Sequence, residues 1–174
     1  SCSFYAKEVG CLGALVITAS HNPYNWLGLK IKSFNGCSVD ESFTSEVEKR
    51  LMLGNSIEKI DGVNQLVDIK KFHLDRIKSL FDIDYISKRL KKMKLRIFVD
   101  SMHGSAANCM AEIFASNDLE VISEIRKDAD PFFGGKPPEP LLNYADDLKQ
   151  ILMKNSTNEV KTLGIIFDGD GDRI

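Results

Sequence analysis

Leu163-Gly164-Ile165-Ile166-Phe167-Asp168-Gly169-Asp170-Gly171-Asp172-Arg173 is the stretch whose reading decides the fold. Its first five residues are apolar apart from one glycine, too short a run for a helix and suited to a strand buried on both faces of a parallel sheet. Cys11–Ile17 and Leu95–Val99 have the same character, and each of the three runs empties into a polar loop. Between them lie segments of helical period. Phe43, Val47 and Leu51 recur every fourth residue behind the cap-like Asp40, and Ile151 follows Leu148 in a run opened by Asn143. Strand, helix, strand at this spacing predicts parallel strands joined by crossovers, hence an α/β fold.

Phe72, Arg76, Leu80 and Phe81 predict another helix, after which Lys88–Lys94 carries five positive charges. This punctuation places a domain boundary near residue 80 and divides the chain into 1–80 and 81–174. The basic run reads as a solvated helix end whose charges complement the helix dipole, since no aromatics are interleaved for base stacking. DPFFGGKPPEP, residues 130–140, predicts an irregular loop because four of its eleven residues are prolines and two are glycines.

The chain has 174 residues, 43% hydrophobic and 28% charged, which excludes disordered, collagenous and disulfide-scaffold classes. Lys plus Arg number 23 against 25 Asp plus Glu, a net charge of −2, so no global basic field argues for nucleic acid. No apolar run in the sequence approaches the roughly eighteen residues of a bilayer span. The expectation is a cytoplasmic protein with neither nucleic-acid nor membrane partners. Its four widely spaced cysteines, Cys2, Cys11, Cys37 and Cys109, form no CxxC pair and read as small packed hydrophobes. The sequence stops one residue after a charged loop, which reads as a truncated end.

Two loops carry chemistry. Thr18-Ala19-Ser20-His21-Asn22-Pro23 leaves the first strand at its carboxyl end, where ligands gather in open α/β sheets. Ser20 is placed there for covalent work, with His21 and Asn22 beside it; the competing reading makes Ser20 a helix cap and Asn22-Pro23 a plain turn. Asp168-Gly169-Asp170-Gly171-Asp172-Arg173 offers three alternating carboxylates separated by glycines, an arrangement able to converge on one hard divalent cation. An EF-hand is excluded because its sixth position would be Arg173 rather than glycine. Within Gly28-Leu29-Lys30-Ile31-Lys32, alternation sends Lys30 and Lys32 to one side of a short strand, either as a proton acceptor near the serine or as solubilising charge. Ser101-Met102-His103-Gly104-Ser105 is a weaker signal, a strand-end loop with amides near a predicted helix start.

Taken jointly, TASHNP and DGDGDR, in this order and each behind a buried strand, resemble the α-D-phosphohexomutase superfamily, and within it the phosphoglucomutase/phosphomannomutase family. GLKIK, FVDSMHG and DPFFGGKPPEP sit where that family has similar segments, so the resemblance covers nearly the whole chain. It implies two adjoining three-layer α/β/α mixed-sheet domains, both incomplete: residues 1–80 as the back of domain I with the phosphoserine loop, and 81–174 as domain II with the metal-binding loop.

The resemblance further implies an Mg²⁺-dependent intramolecular phosphotransferase that interconverts hexose 1-phosphate and hexose 6-phosphate through a hexose bisphosphate. Ser20 matches the phosphorylated serine. Asp168, Asp170 and Asp172 match the Mg²⁺ ligands, completed by a phosphoserine oxygen on Ser20. Arg173 matches the motif arginine beside the phosphoryl group, Lys30 a general acid/base, and His21 the histidine flanking the phosphoserine; His103 is a suspect behind them. The family's sugar-recognition and phosphate-gripping loops lie in later domains that this sequence lacks. The isolated chain is therefore expected to be inactive, and the choice among glucose, mannose and glucosamine phosphates stays open. The alternative is a non-catalytic metal- or phosphate-binding module.

Overall fold

The computed structural model describes residues 1–54, 62–115 and 121–174, and their contacts divide them into two units, Ser1–Val16 with Leu29–His73 and Ile17–Gly28 with Leu74–Ile174. In the first unit the sequence order is α1 (Cys2–Glu8), β1 (Gly13–Ile17), β2 (Leu29–Ser33), α2 (Glu41–Met52) and the start of α3 (Ile69–Leu80). β1 and β2 form a two-stranded sheet. Asp40 caps α2 as its position predicts, its carboxylate accepting the Phe43 N–H at 3.0 Å. Phe4 and Tyr5 of α1 pack on Phe72 of α3, with ring centroids 5.4 and 5.1 Å apart.

The strand β1 corrects one expectation. It is not buried on both faces: Leu15 and Ile17 remain 70% and 72% exposed. Burial alternates along the strand, with Ala14 and Val16 half-buried and Leu15 and Ile17 exposed, so one face of the β1-β2 sheet is left uncovered by the described residues. Cys37 departs from the packed-cysteine reading as well, lying exposed in the turn after β2.

The second unit realises the α/β pattern fully. Its order is α4 (Ile83–Lys92), β3 (Leu95–Asp100), α5 (Cys109–Phe114), β4 (Ile122–Ile125), α6 (Asp146–Asn155) and β5 (Lys161–Ile166). The sheet runs β4-β3-β5, with both pairings parallel and Val99 opposite Glu124 on one side and Ile165 on the other. Ile97, Val99 and Ile122 face a core completed by Leu74 of α3 and by Ile113 and Phe114 of α5. On the other face α6 lies so close that a Cβ on Gly164 would meet Leu152 Cδ1 at 2.8 Å. Helices on both faces make three layers. The run opened by Asn143 forms a single 3₁₀ turn first; α6 itself begins at Asp146, where Asp146 and Asp147 face the positive helix end.

Because β3 leads to β4 in one direction and on to β5 in the other, the chain reverses its sense across β3, and the crevice of such a sheet opens at the carboxyl ends of these strands. Asp100, the last residue of β3, is fully buried there. Its carboxylate takes a two-point grip from Arg126, with Nε at 2.8 Å, and accepts the Met102 N–H at 3.1 Å. A buried carboxylate needs such a partner, since an unpaired buried charge is strongly destabilising.

Candidate functional site

Both chemistry-bearing loops belong to the second unit. The serine loop is closed at its base by the Thr18 N–H donating to the Gly28 carbonyl at 3.0 Å. Inside it the Asn22 N–H reaches the Ala19 carbonyl at 3.0 Å, and the Ser20 N–H reaches Thr18 Oγ1 at 2.9 Å. Ser20 adopts φ +57°, a left-handed conformation costing a non-glycine residue on the order of 1 kcal/mol. No helix follows it, the next element being β2, so Ser20 is not a helix cap; Asn22-Pro23 does form a turn. The strained backbone turns the Ser20 hydroxyl to donate to Asp170 Oδ1 at 3.1 Å.

The carboxylate loop wraps its own first residue. Asp168 Oδ1 accepts the backbone N–H groups of Asp172 and Arg173 at 2.9 and 3.1 Å, and Gly171, at φ +70°, gives its N–H to the Asp168 carbonyl at 3.1 Å. Asp168, Asp170 and Asp172 each bring a carboxylate oxygen within 4.8 Å of the others. Asp168 is fully buried and its Oδ2 has no hydrogen-bond partner. Burial is the main cause that raises its pKa, and the neighbouring Asp170 and Asp172 push it the same way, against the Arg173 N–H, which lowers it. Three convergent carboxylates with one orphaned buried oxygen are a donor set for a hard divalent cation, which would offset the repulsion.

Close backbone contacts hold the two loops together. A Cβ on Gly169 would fall 2.4 Å from the Ser20 carbonyl oxygen and 2.8 Å from Pro138 Cγ, so only glycine fits there. Gly104 lies equally close to Gly169, whose carbonyl accepts the Ser105 N–H at 2.9 Å. The Ser101–Ser105 loop thus spends an amide on bracing the carboxylate loop rather than on an anion at a helix start, since α5 begins only at Cys109. His103 is tied through Nδ1 to the Asp128 carbonyl at 2.7 Å. On the other flank Tyr24 meets Phe132 edge to face at 5.0 Å between centroids. Asp130 fixes that loop by accepting the Phe132 and Gly134 N–H groups at 2.8 and 3.0 Å, bonds that hold its carboxyl below the ordinary range.

The remaining predicted residues divide. His21 is half-buried beside Ser20, its Nε2 3.8 Å from Glu139 Oε1 and its Nδ1 buried without a partner. Arg173 is half-exposed with Nε 3.9 Å from Asp172 Oδ1. Lys30 lies half-buried in β2 of the first unit, and Lys32 Nζ donates to Ser38 Oγ at 2.8 Å. Glu139 and Pro138 were not singled out by sequence reasoning; the one available signal was a lone acid among prolines in KPPEP.

Comparison with known proteins bears on the same residues. The model of the phosphoglucomutase/phosphomannomutase alpha/beta/alpha domain II matches residues 71–174, and that of alpha/beta/alpha domain I matches residues 1–56. Phosphoglucomutase-2 of Paramecium tetraurelia is 29% identical over 203 residues, covering 96% of this chain and 35% of that protein. Phosphoglucomutase 2 of Saccharomyces cerevisiae is 31% identical over 95% of this chain and 33% of its own length. Phosphoglucosamine mutase of Prochlorococcus marinus is 28% identical over 98% of the chain. Among solved structures, Paramecium pp63/parafusin superposes with a TM-score of 0.75 at 24% identity over 97% of this chain and 36% of that one, which speaks to the fold. The chain spans about a third of the length of the curated relatives it matches.

Proposed function

The chain belongs to the phosphoglucomutase/phosphomannomutase family, and from that premise we propose that it is the part of a phosphohexomutase that carries the phosphorylated serine and the cation-binding loop. Residues 1–80 are assigned to domain I and 81–174 to domain II, with the sugar grip supplied by further domains of a longer protein. The substrates are a hexose phosphate and the hexose bisphosphate formed from it, and the protein is cytoplasmic; no helix among the described residues is long and apolar enough to cross a membrane.

One observation carries the reading: the Ser20 hydroxyl donates at 3.1 Å into a trio of carboxylates whose deepest member keeps a buried oxygen without a partner. An alcohol aimed at three acids is an unrewarding arrangement unless a cation and a phosphoryl group complete it. Asp168, Asp170 and Asp172, with an oxygen on Ser20, would hold Mg²⁺, which supplies charge neutralisation for phosphoryl transfer. The rest falls to the protein. Ser20 is turned toward Asp170 on its left-handed backbone, and Gly169 lets the carboxylate loop close on it. In the transfer step the Ser20 Oγ–P bond breaks as a sugar hydroxyl oxygen forms the new P–O bond. The hydroxyl proton leaves to a base, assigned to Lys30, and Ser20 Oγ regains one proton. The bisphosphate then turns round and its other phosphoryl group returns to Ser20, giving a net exchange between the 1- and 6-positions. His21, which follows the serine, and Arg173, next to Asp172 in the carboxylate loop, are assigned to the charge on the transferring group.

Conversion of glucose 1-phosphate by the full-length protein tests this. Ser20→Ala abolishes turnover; a variant that turns over like the wild type sinks the assignment. The isolated 174 residues show essentially none, because the binding energy that orients the sugar comes from absent parts.

A further inference from the structure

Glu124 sits inside the short strand β4, opposite Val99 of β3, where a β-branched apolar residue would be the ordinary choice. Its carboxylate is committed on one oxygen only. Oε1 accepts the hydroxyl of the fully buried Ser101 and the Asn108 N–H, the latter at 2.7 Å, while Oε2 is buried without a hydrogen-bond partner. An unpaired buried oxygen is destabilising, and the ladder that joins β4 to β3 is made by backbone alone, so the sheet does not call for this side chain.

What the two bonds do is fasten the loop between β3 and α5 at both ends, at Ser101 where it leaves β3 and at Asn108 where it enters α5. The loop needs fastening. Met102, His103 and Asn108 hold φ of +46°, +60° and +63°, a conformation that non-glycine residues keep only where their surroundings over-determine it. The middle of the loop is a wall of the carboxylate loop. The Ser105 N–H donates to the Gly169 carbonyl at 2.9 Å, a Cβ on Gly104 would fall 2.6 Å from that same oxygen, and one on Gly171 would meet Ser105 Oγ and Ala106 Cβ at 3.3 Å. Gly169 and Gly171 are the residues that separate Asp168, Asp170 and Asp172. Serving the start of α5 does not account for the arrangement, because Ser101 lies at the far end of the loop and its hydroxyl meets no helix end.

We propose that Glu124 is a positioning residue for the carboxylate trio: by clamping both ends of the 101–108 loop it sets where Gly169 and Gly171 stand, and so how closely the three acids converge. The inference rests on the reading of the trio as a cation site. Glu124 acts through the loop and touches neither the cation nor the phosphoryl group, as groups behind metal ligands commonly do.

Mn²⁺ is the probe, titrated into the full-length protein and followed by the loss of its free-ion paramagnetic resonance, with Asp170→Asn marking the binding that belongs to the trio. Glu124→Ala is expected to weaken that binding about tenfold or more. In metal-free buffer it also speeds hydrogen exchange at the Ser105 amide, which Glu124 does not itself contact. Glu124→Gln keeps an acceptor for both donors and stays within about threefold of the wild type on both readouts. Ile122→Val, which trims the core side of the same strand, lowers the melting temperature and leaves both readouts alone. Should Glu124→Ala not fold, Ser101→Ala releases one end of the loop and weakens Mn²⁺ about threefold. Wild-type affinity and Ser105 exchange in Glu124→Ala, wild-type affinity in Ser101→Ala, or equal weakening in Ile122→Val would each overturn the inference alone. A wild type with no Asp170-dependent Mn²⁺ binding would overturn the reading of the site and the inference with it.

Discussion

Replacing Asp168 by Asn should change the sign of its effect on stability according to whether a divalent cation is present. Asn keeps an acceptor for the Asp172 and Arg173 N–H groups that now reach Asp168 Oδ1 at 2.9 and 3.1 Å, and it removes the charge. Two terms favour the variant without metal. The orphaned Oδ2 carries a desolvation cost of about 1–3 kcal/mol. Repulsion between carboxylate oxygens within 4.8 Å of one another adds about 0.9 kcal/mol per pair in a water-like medium and about 3.5 kcal/mol at a protein-like dielectric. Against them, two hydrogen bonds to a charged acceptor become bonds to a neutral one, a loss of about 1 kcal/mol each. A net gain of about 1 kcal/mol remains, or about 2–4 °C in melting temperature. With Mg²⁺ at a hundredfold excess over its Kd the wild type gains about 2.7 kcal/mol that the variant forgoes, so the order inverts. The carboxyl's pKa is raised in the folded state, so the wild type's metal-free handicap is present above that raised value and disappears as pH falls through it towards 3.8. Differential scanning calorimetry at pH 7 and pH 4, with and without Mg²⁺, reads all of this. A variant less stable than the wild type in metal-free buffer, or equally stabilised by Mg²⁺, refutes the reasoning.

Gly169→Ala forces a Cβ to within 2.4 Å of the Ser20 carbonyl; phosphoryl transfer should fall at least about tenfold, because the serine loop must retreat, and restored activity on reversion checks it. Arg126→Ala leaves the fully buried Asp100 carboxylate unpaired and should cost about 3–5 kcal/mol in urea unfolding, whereas the double variant Asp100→Asn, Arg126→Met recovers much of it. The pKa of His73 is lowered by burial and next by the N-terminal charge, so its contribution is fully present above 6.5 and lost as pH falls towards the depressed folded value; His73→Gln should flatten that stretch of the stability profile.

What the sequence made legible was local. The apolar runs at Leu95 and Leu163 announced β3 and β5, and the loops behind them carry Asp168, Asp170 and Asp172 in the spacing that brings their oxygens together. Ser20 was legible as a candidate, but whether it capped a helix was not, because its donation to Asp170 joins residues 150 apart in the chain. β4 escaped the reading because Ile122-Ser123-Glu124-Ile125 carries two polar residues, of which Glu124 proves to work inward: Ser101 Oγ and the Asn108 N–H both donate to its Oε1. Glu139 escaped because nothing in KPPEP marks its approach to His21. β1 was misjudged in burial because an apolar run specifies a strand and not whether both of its faces are covered.

The central claim, that Ser20 and the carboxylate trio form one phosphoryl-transfer site, is tested most directly by locating the phosphoryl group. The full-length protein would be incubated with a radiolabelled hexose bisphosphate and Mg²⁺, digested, and its labelled peptide sequenced by mass spectrometry. A single phosphoryl group on Ser20, lost in Asp170→Asn, is the predicted result; label on another residue, or label on Ser20 that persists undiminished in Asp170→Asn, contradicts the account.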